Sequence, residues 1–245
     1  MGSRASKPEP PPGPINVRAA DKHDLDAIVG IVKAGFPDDP GCDYKYPYRG
    51  KYPEDFWEWT RREYEEYIDQ PDKFAVLVAT QPVAADASGS AADLSRPLQL
   101  DRPIAYAVWD IAVDKEPTGG DHGINKRRDA NPDHMRAYAD TMSAAFAKYF
   151  DTYGNEQLTL DWLITHPEFR RRGAGTMLCQ WGEDEAIKRG GWTLTVMASP
   201  MGTFLYEHLG YTLLGTVTAQ VDGEQEKVNI NVLAKEGVGA TARLS

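Results

Sequence analysis

The sequence predicts one α/β domain, a central mixed, strongly twisted β-sheet flanked by helices. Three observations predict it. Runs that alternate apolar with polar residues take turns along the chain with runs whose apolar residues recur at helical intervals. The 245 residues, 41% hydrophobic and 26% charged, can bury a single large core, and no repeat of about 20–50 residues and no clean linker divides them. From Gln157 to Leu214 the order reads strand, glycine loop, helix, strand, short helix, strand.

Taken in order, residues 1–14 form a proline-rich arm, because the proline density from Pro8 to Pro14 prevents helix and sheet. The domain is expected over residues 15–236, with 237–245 as a tail. Ile15-Asn16-Val17-Arg18 reads as a strand, and Leu25, Ile28, Val29, Ile31 and Val32 are spaced for a helix. Pro37 to Tyr64 gathers aromatics, with helical spacing from about Pro53 to Ile68. Most of these rings are expected in the core, and some are expected to wall an apolar pocket. Phe74 to Ala79 and Ile104 to Trp109 are strand-like. Polar segments at about 82–102 and 114–132 read as insertions, the first between the two arms of a hairpin, and Lys126-Arg127-Arg128 in the second as a solvated loop. Met135, Tyr138, Met142, Ala145, Phe146 and Tyr149 then fall at helical intervals.

Charge narrows the partners. With 27 Lys and Arg against 37 Asp and Glu, the net charge is −10, which argues against nucleic acid and suits cationic partners such as amines. Cys42 and Cys179 form no CxxC pair, so a disulfide scaffold and a cysteine-rich zinc site are not expected. No window reaches the roughly 20 apolar residues that span a bilayer, and the start lacks a secretory apolar core, so a cytoplasmic location is expected. Met1-Gly2 with Ser6 fits the M-G-x-x-x-S/T pattern for N-myristoylation. Membrane association is expected only if Gly2 is lipidated, and a chance match is the alternative reading of so short a pattern.

The chemistry concentrates after Gln157. Leu158 to Thr165 alternates as a strand, and His166-Pro167 stops it. Arg170-Arg171-Arg172-Gly173-Ala174-Gly175-Thr176 follows and opens a helix running to about Arg189. Such a loop delivers successive backbone N–H groups and the positive end of a helix dipole to one spot, which suits an anion. Gly173 and Gly175 let the backbone turn sharply and approach a ligand. The loop is neither G-x-G-x-x-G nor a Walker sequence.

These residues resemble the GNAT N-acetyltransferases, whose acetyl-CoA loop reads R/Q-x-x-G-x-G/A after a strand ending in V-x-P; here Thr165-His166-Pro167 precedes Arg170 through Gly175. Ser199-Pro200-Met201-Gly202-Thr203-Phe204-Leu205-Tyr206-Glu207-His208-Leu209-Gly210-Tyr211 looks like the second motif, N-x-x-A-x-x-L/F-Y-x-x-x-G-F, with Ser for Asn, Gly for Ala and Tyr for Phe. The resemblance implies a GNAT-like domain that uses acetyl-CoA as co-substrate, with no metal. Leu163 and Thr165 would bond the pantetheine arm. Arg171, Arg172, Gly173, Ala174, Gly175 and Thr176 would hold the pyrophosphate, with Arg170 and Ser199 at family positions and the Arg170 side chain open to a structural role.

The resemblance also implies direct transfer of acetyl to a primary amine, favoured here as that of a small molecule. Tyr206 matches the tyrosine that protonates the departing thiolate. Asp161, near the incoming amine by the same likeness, is the candidate base or ammonium anchor, with Asp110 as the other acidic candidate. Period-2 alternation puts Asp161 on the face of Leu163 and Thr165. His166 and His208 are read as surface or hydrogen-bonded residues. A protein or peptide acceptor, and a non-catalytic acyl-CoA-binding module, are the alternatives; oligomeric state is not legible.

Overall fold

The computed structural model describes residues 13–82, 101–113 and 122–239. Gly2, the first twelve residues, most of both expected insertions (83–100 and 114–121) and the last six residues lie outside the described residues. Seven strands of the described residues form one sheet in the order β1-β2-β3-β4-β5-β7-β6. In chain order they are β1 (Asn16–Ala19), β2 (Phe74–Pro82), β3 (Asp101–Asp110), β4 (Gln157–Thr165), β5 (Thr193–Ala198), β6 (Thr212–Gln220) and β7 (Lys227–Lys235). Only β4 and β5 run parallel; the other pairs are antiparallel. The sheet is therefore mixed, as expected. The β2–β3 pairing reaches Pro82↔Asp101, so the first polar segment does join two arms of a hairpin.

Among the described residues six α-helices cover the sheet: α1 (Leu25–Gly35), α2 (Pro40–Lys45), α3 (Pro53–Ile68), α4 (Pro132–Tyr149), α5 (Ala174–Lys188) and α6 (Pro200–His208). Alternation along β2 and β3 divides the core between the two faces. Leu77, Ala79, Ala105, Ala107 and Trp109 pack with Leu178, Cys179 and Tyr206 of α5 and α6. Val76, Val78, Tyr106 and Val108 pack instead with Leu25, Ile28, Phe56 and Tyr64 of α1 and α3. α4 lies over the far end of the sheet, where its Tyr138 and Met142 meet Val217, Val228 and Ile230.

Two irregularities mark β4. Its ladder to β5 ends at Leu160↔Val196, although β4 continues to Thr165 and β5 to Ala198. The strands part there, leaving backbone groups on the facing edges outside the ladder. The second irregularity is a β-bulge: Val108 pairs with Trp162 and Trp109 with Leu160, so Asp161 is an extra residue. Leu158 and Leu160 accordingly belong to the α5 face, whereas Trp162 and Ile164 pack on the α1–α3 face.

The basic triplet corrects the reading of a solvated loop. Arg127 is buried and forms a forked pair with Asp129, Nε to Oδ1 at 2.8 Å and Nη2 to Oδ2 at 2.6 Å. Its guanidinium lies 4.3 Å from the centre of the Tyr46 ring, and Arg128 pairs with Asp55. Of the triplet only Arg127 is buried, beside the end of α2, while the exposed Arg128 ties the loop to α3 through Asp55.

Candidate active site

The last turn before α5 is built for an anion. Gly173 stands at the N-cap with φ +92°, no side chain caps the helix, and a Cβ added at Gly173 would meet nothing within 4 Å. By contrast Asp39 caps α2, Asn131 caps α4 and Ser199 caps α6. The first N–H groups of α5 therefore need an outside acceptor. Arg171, itself left-handed at φ +63°, and Arg172, Gly173 and Thr176 are exposed around them. Gly175 lies against the sheet, where an added Cβ would sit 3.4 Å from Leu205 Cδ2 and 3.9 Å from both Leu163 Cδ2 and Thr165 Oγ1. Its lack of a side chain brings the loop close to the open edge of β4.

Arg170 does something else. Its Nη2 reaches the Gly35 carbonyl at 3.4 Å, at the C-terminus of α1, and its Nε the Thr165 carbonyl at 3.4 Å. It fastens α1 to the end of β4, the structural option for that side chain. Arg172 donates to the Glu168 carbonyl at 3.0 Å and stacks 5.0 Å from the Phe169 ring centre.

Beside the opening between β4 and β5 lies a cavity of about 570 Å³. Leu163 and Asp161 of β4, Ser199 and Tyr206 around α6, and Glu63 of α3 all line it. Tyr206 is buried, and burial, with Cys179 next, raises its phenol pKa well above the usual value. The phenol thus stays protonated, a donor rather than a base. Ser199 is occupied locally, accepting from the Gly202 amide at 3.4 Å.

Asp161 is exposed and opens to the cavity. Desolvation raises its carboxyl pKa well above the ordinary range, and Asp110 and Glu63 push the same way. The bulge corrects the expected face: Asp161 shares the side of Glu63 and Tyr67, whereas Leu163 and Thr165 approach Gly175 of α5. Asp110 is tied down, accepting from the Ala112 and Val113 amides at 3.0 and 2.9 Å. His166 accepts from the Glu168 amide at 3.4 Å.

An open strand edge, a protonated phenol and a carboxyl group of raised pKa stand around one cavity, and the start of α5 lies outside its lining, with Gly175 close to Leu163. Residues 124–211 match the family model described as acetyltransferase (GNAT) family. Over that segment the chain is similar to the GNAT acetyltransferases. A relative from Stachybotrys chartarum, described as an acetyltransferase, is 23% identical over 229 residues, 88% of this chain and 89% of its own. Among solved structures, the Drosophila melanogaster polyamine N-acetyltransferase has a TM-score of 0.58 at 14% identity, covering 91% of this chain and all of that one. A Corynebacterium glutamicum protein described as histone acetyltransferase HPA2 and related acetyltransferase has a TM-score of 0.54 at 17% identity, covering 92% of this chain and 96% of its own. At such identities the structures speak for the GNAT fold.

GNAT acetyltransferases draw acetyl from acetyl-CoA. Sequence reading placed the loop, Tyr206 and Asp161. It missed Glu63, which lines the cavity and accepts no hydrogen bond among the described residues, and Lys45, a buried cation at the end of α2. One carries no sequence signal beyond its helix, the other none beyond its aromatic neighbours. Among the described residues no group of His, Cys, Asp and Glu could hold a metal ion, and no helix is long and apolar enough to cross a membrane.

Proposed function

We propose that the protein transfers acetyl from acetyl-CoA directly to the primary amine of a small molecule, with both substrates bound together. One observation carries this reading: a single cavity of about 570 Å³ joins Asp161 and Glu63 to Tyr206 beside the parted strands. That volume suits a small ligand. The pyrophosphate would rest on the N–H groups of Gly173 to Thr176, and the pantetheine arm along Leu163 and Thr165.

An alkyl ammonium must lose a proton before it attacks, which costs about 4 kcal/mol at neutral pH. Asp161, its basicity raised by its surroundings, takes that proton directly or through water. The amine then attacks the thioester carbonyl; as the tetrahedral intermediate collapses the C–S bond breaks, Tyr206 protonates the sulfur, and the second proton of the nitrogen returns through water to the phenolate. Holding the two reactants together contributes on the order of 7–11 kcal/mol.

The Drosophila relative named for polyamines supports a small cationic acceptor, as does the net charge of −10. Acetyl-CoA, a panel of small amines and peptides, and a thiol-detecting reagent test the proposal. We expect CoA release with small primary amines and a matching acetylated product. Release with peptides only would shift the reading to a peptide acetyltransferase, and no release with any amine would leave an acyl-CoA-binding module. The same reading places the protein in the cytoplasm, with a membrane tether if native Gly2 carries myristate, which intact mass reads out.

A further inference from the structure

Lys45 ends α2 and lines the cavity with 9% of its surface accessible. Three rings box its ammonium: Tyr138 at 4.4 Å, and Tyr46 and Trp162 each at 5.2 Å from Nζ to the ring centre. Ring faces attract a cation, but they accept no strong hydrogen bond. Among the described residues the Lys45 ammonium makes neither a hydrogen bond nor an ion pair. A buried ammonium ordinarily has a carboxylate against it.

The acidic residues of the cavity wall divide into two groups. Asp39 accepts from the Cys42 amide, Asp110 from the Ala112 and Val113 amides, and Asp151 is partnered as well. Glu63 and Asp161 accept no hydrogen bond among the described residues, and neither lies within ion-pair distance of Lys45. The cavity thus presents two uncommitted carboxylates and one uncommitted cation, held apart. An acceptor with only an ammonium group would satisfy the carboxylates and leave Lys45 bare.

Resting on the function proposed above, we infer that the acceptor is an amino acid, whose carboxylate pairs with Lys45 while its ammonium faces Asp161 and Glu63. One lysine suits a monoanion; a phosphate dianion would meet two nearby carboxylates with a single cation to balance it. Phe36, Phe74, Met135, Met142 and Phe146 also line the cavity, so the side chain it takes is apolar. Loop 122–131 keeps Lys45 in place: the Asn131 amide donates to the Lys45 carbonyl at 3.0 Å, and the Arg127–Asp129 pair stacks on the neighbouring Tyr46.

The test compares amino acids with amines of the same side chain: phenylalanine with 2-phenylethylamine, leucine with isoamylamine, methionine with 3-methylthiopropylamine. The readouts are kcat/KM from CoA release and, without turnover, binding to the CoA-loaded protein by calorimetry. Each amino acid should exceed its amine by roughly a hundredfold in kcat/KM, since removing one partner of a buried charge pair has effects of that order. In Lys45→Met that ratio should collapse towards one and calorimetric binding of the amino acids should be lost; Lys45→Arg should restore part of both. Acetylation of amines as good as or better than that of their amino acids overturns the inference and leaves acetyl transfer standing, as does an unchanged ratio in Lys45→Met. Absence of CoA release with every acceptor fails the transferase reading instead. Amino acid binding that depends on Lys45 would still uphold the pocket, and no such binding would overturn it.

Discussion

Replacing Tyr206 by Phe separates chemistry from folding, because the structure gives its hydroxyl no internal partner. Tyr64 is the contrast: its hydroxyl bonds to Tyr106 in the core, so its removal would strand a buried polar group. The Tyr206 hydroxyl makes no hydrogen bond among the described residues, and its ring packs 5.5 Å from Tyr211, a contact phenylalanine keeps. Stability should therefore change by less than about 0.5 kcal/mol. Catalysis should not be spared. A departing thiolate with a conjugate pKa near 8.5 takes a proton from a phenol held protonated by burial, and general acids of this kind contribute about 10²–10⁴ in rate. We expect kcat to fall by about a hundredfold or more, acetyl-CoA affinity by calorimetry to hold within about twofold, and the melting temperature to stay put. Unchanged kcat with intact affinity would remove Tyr206 from the reaction. A large drop in melting temperature would refute the structural half of the reasoning.

Gly173→Glu places a bulky carboxylate where φ is +92° and an anion belongs, so CoA affinity should fall by about a hundredfold or more in calorimetry. Asp161 gives the rate an acid limb: kcat/KM should rise with pH through a value above the ordinary carboxylate range, and Asp161→Asn should abolish that limb. Because the folded-state pKa is raised, wild-type stability is fully present below the ordinary carboxylate pKa and is lost as pH rises through the raised one. Asp161→Asn should hence melt above wild type near pH 8, with the gap closing near about pH 4. Asp129→Ala leaves Arg127 buried without its carboxylate, side chains that are 2% and 0% accessible, and should cost about 3–5 kcal/mol in urea unfolding.

Much of the fold was legible because period and punctuation are local. The aromatic helix runs from Pro53 to Ile68 as its spacing said, with proline in its first turn where a missing N–H costs nothing. β7 was overlooked although Val228, Ile230 and Val232 alternate after the Asp222-Gly223 turn. Its insertion between β5 and β6 could not be read, since strand order follows from long-range pairing. Nor could the fate of Arg127: a basic triplet looks solvated until the fold brings Asp129 and Tyr46 around one of its members.

The same contrast explains which parts of the site escaped. The anion loop could be read because glycine at a helix start is a local departure from capping, visible in the sequence. The face of Asp161 could not, since an inserted residue in β4 shows only against β3, and one such residue reverses every inference from alternation. Two irregularities meet at the cavity, strands that part and a strand that bulges, and a helix start without a side-chain cap lies close by, where Gly175 approaches Leu163. Each leaves backbone groups or a charge that the rest of the fold would normally satisfy. Lys45 belongs with them, a buried cation among rings with no acceptor of its own. Asp39, Asn131 and Ser199 close such gaps at three other helix starts, and Asp129 closes one on Arg127. Concentration of the open ones around one cavity is what a site completed by its substrates requires.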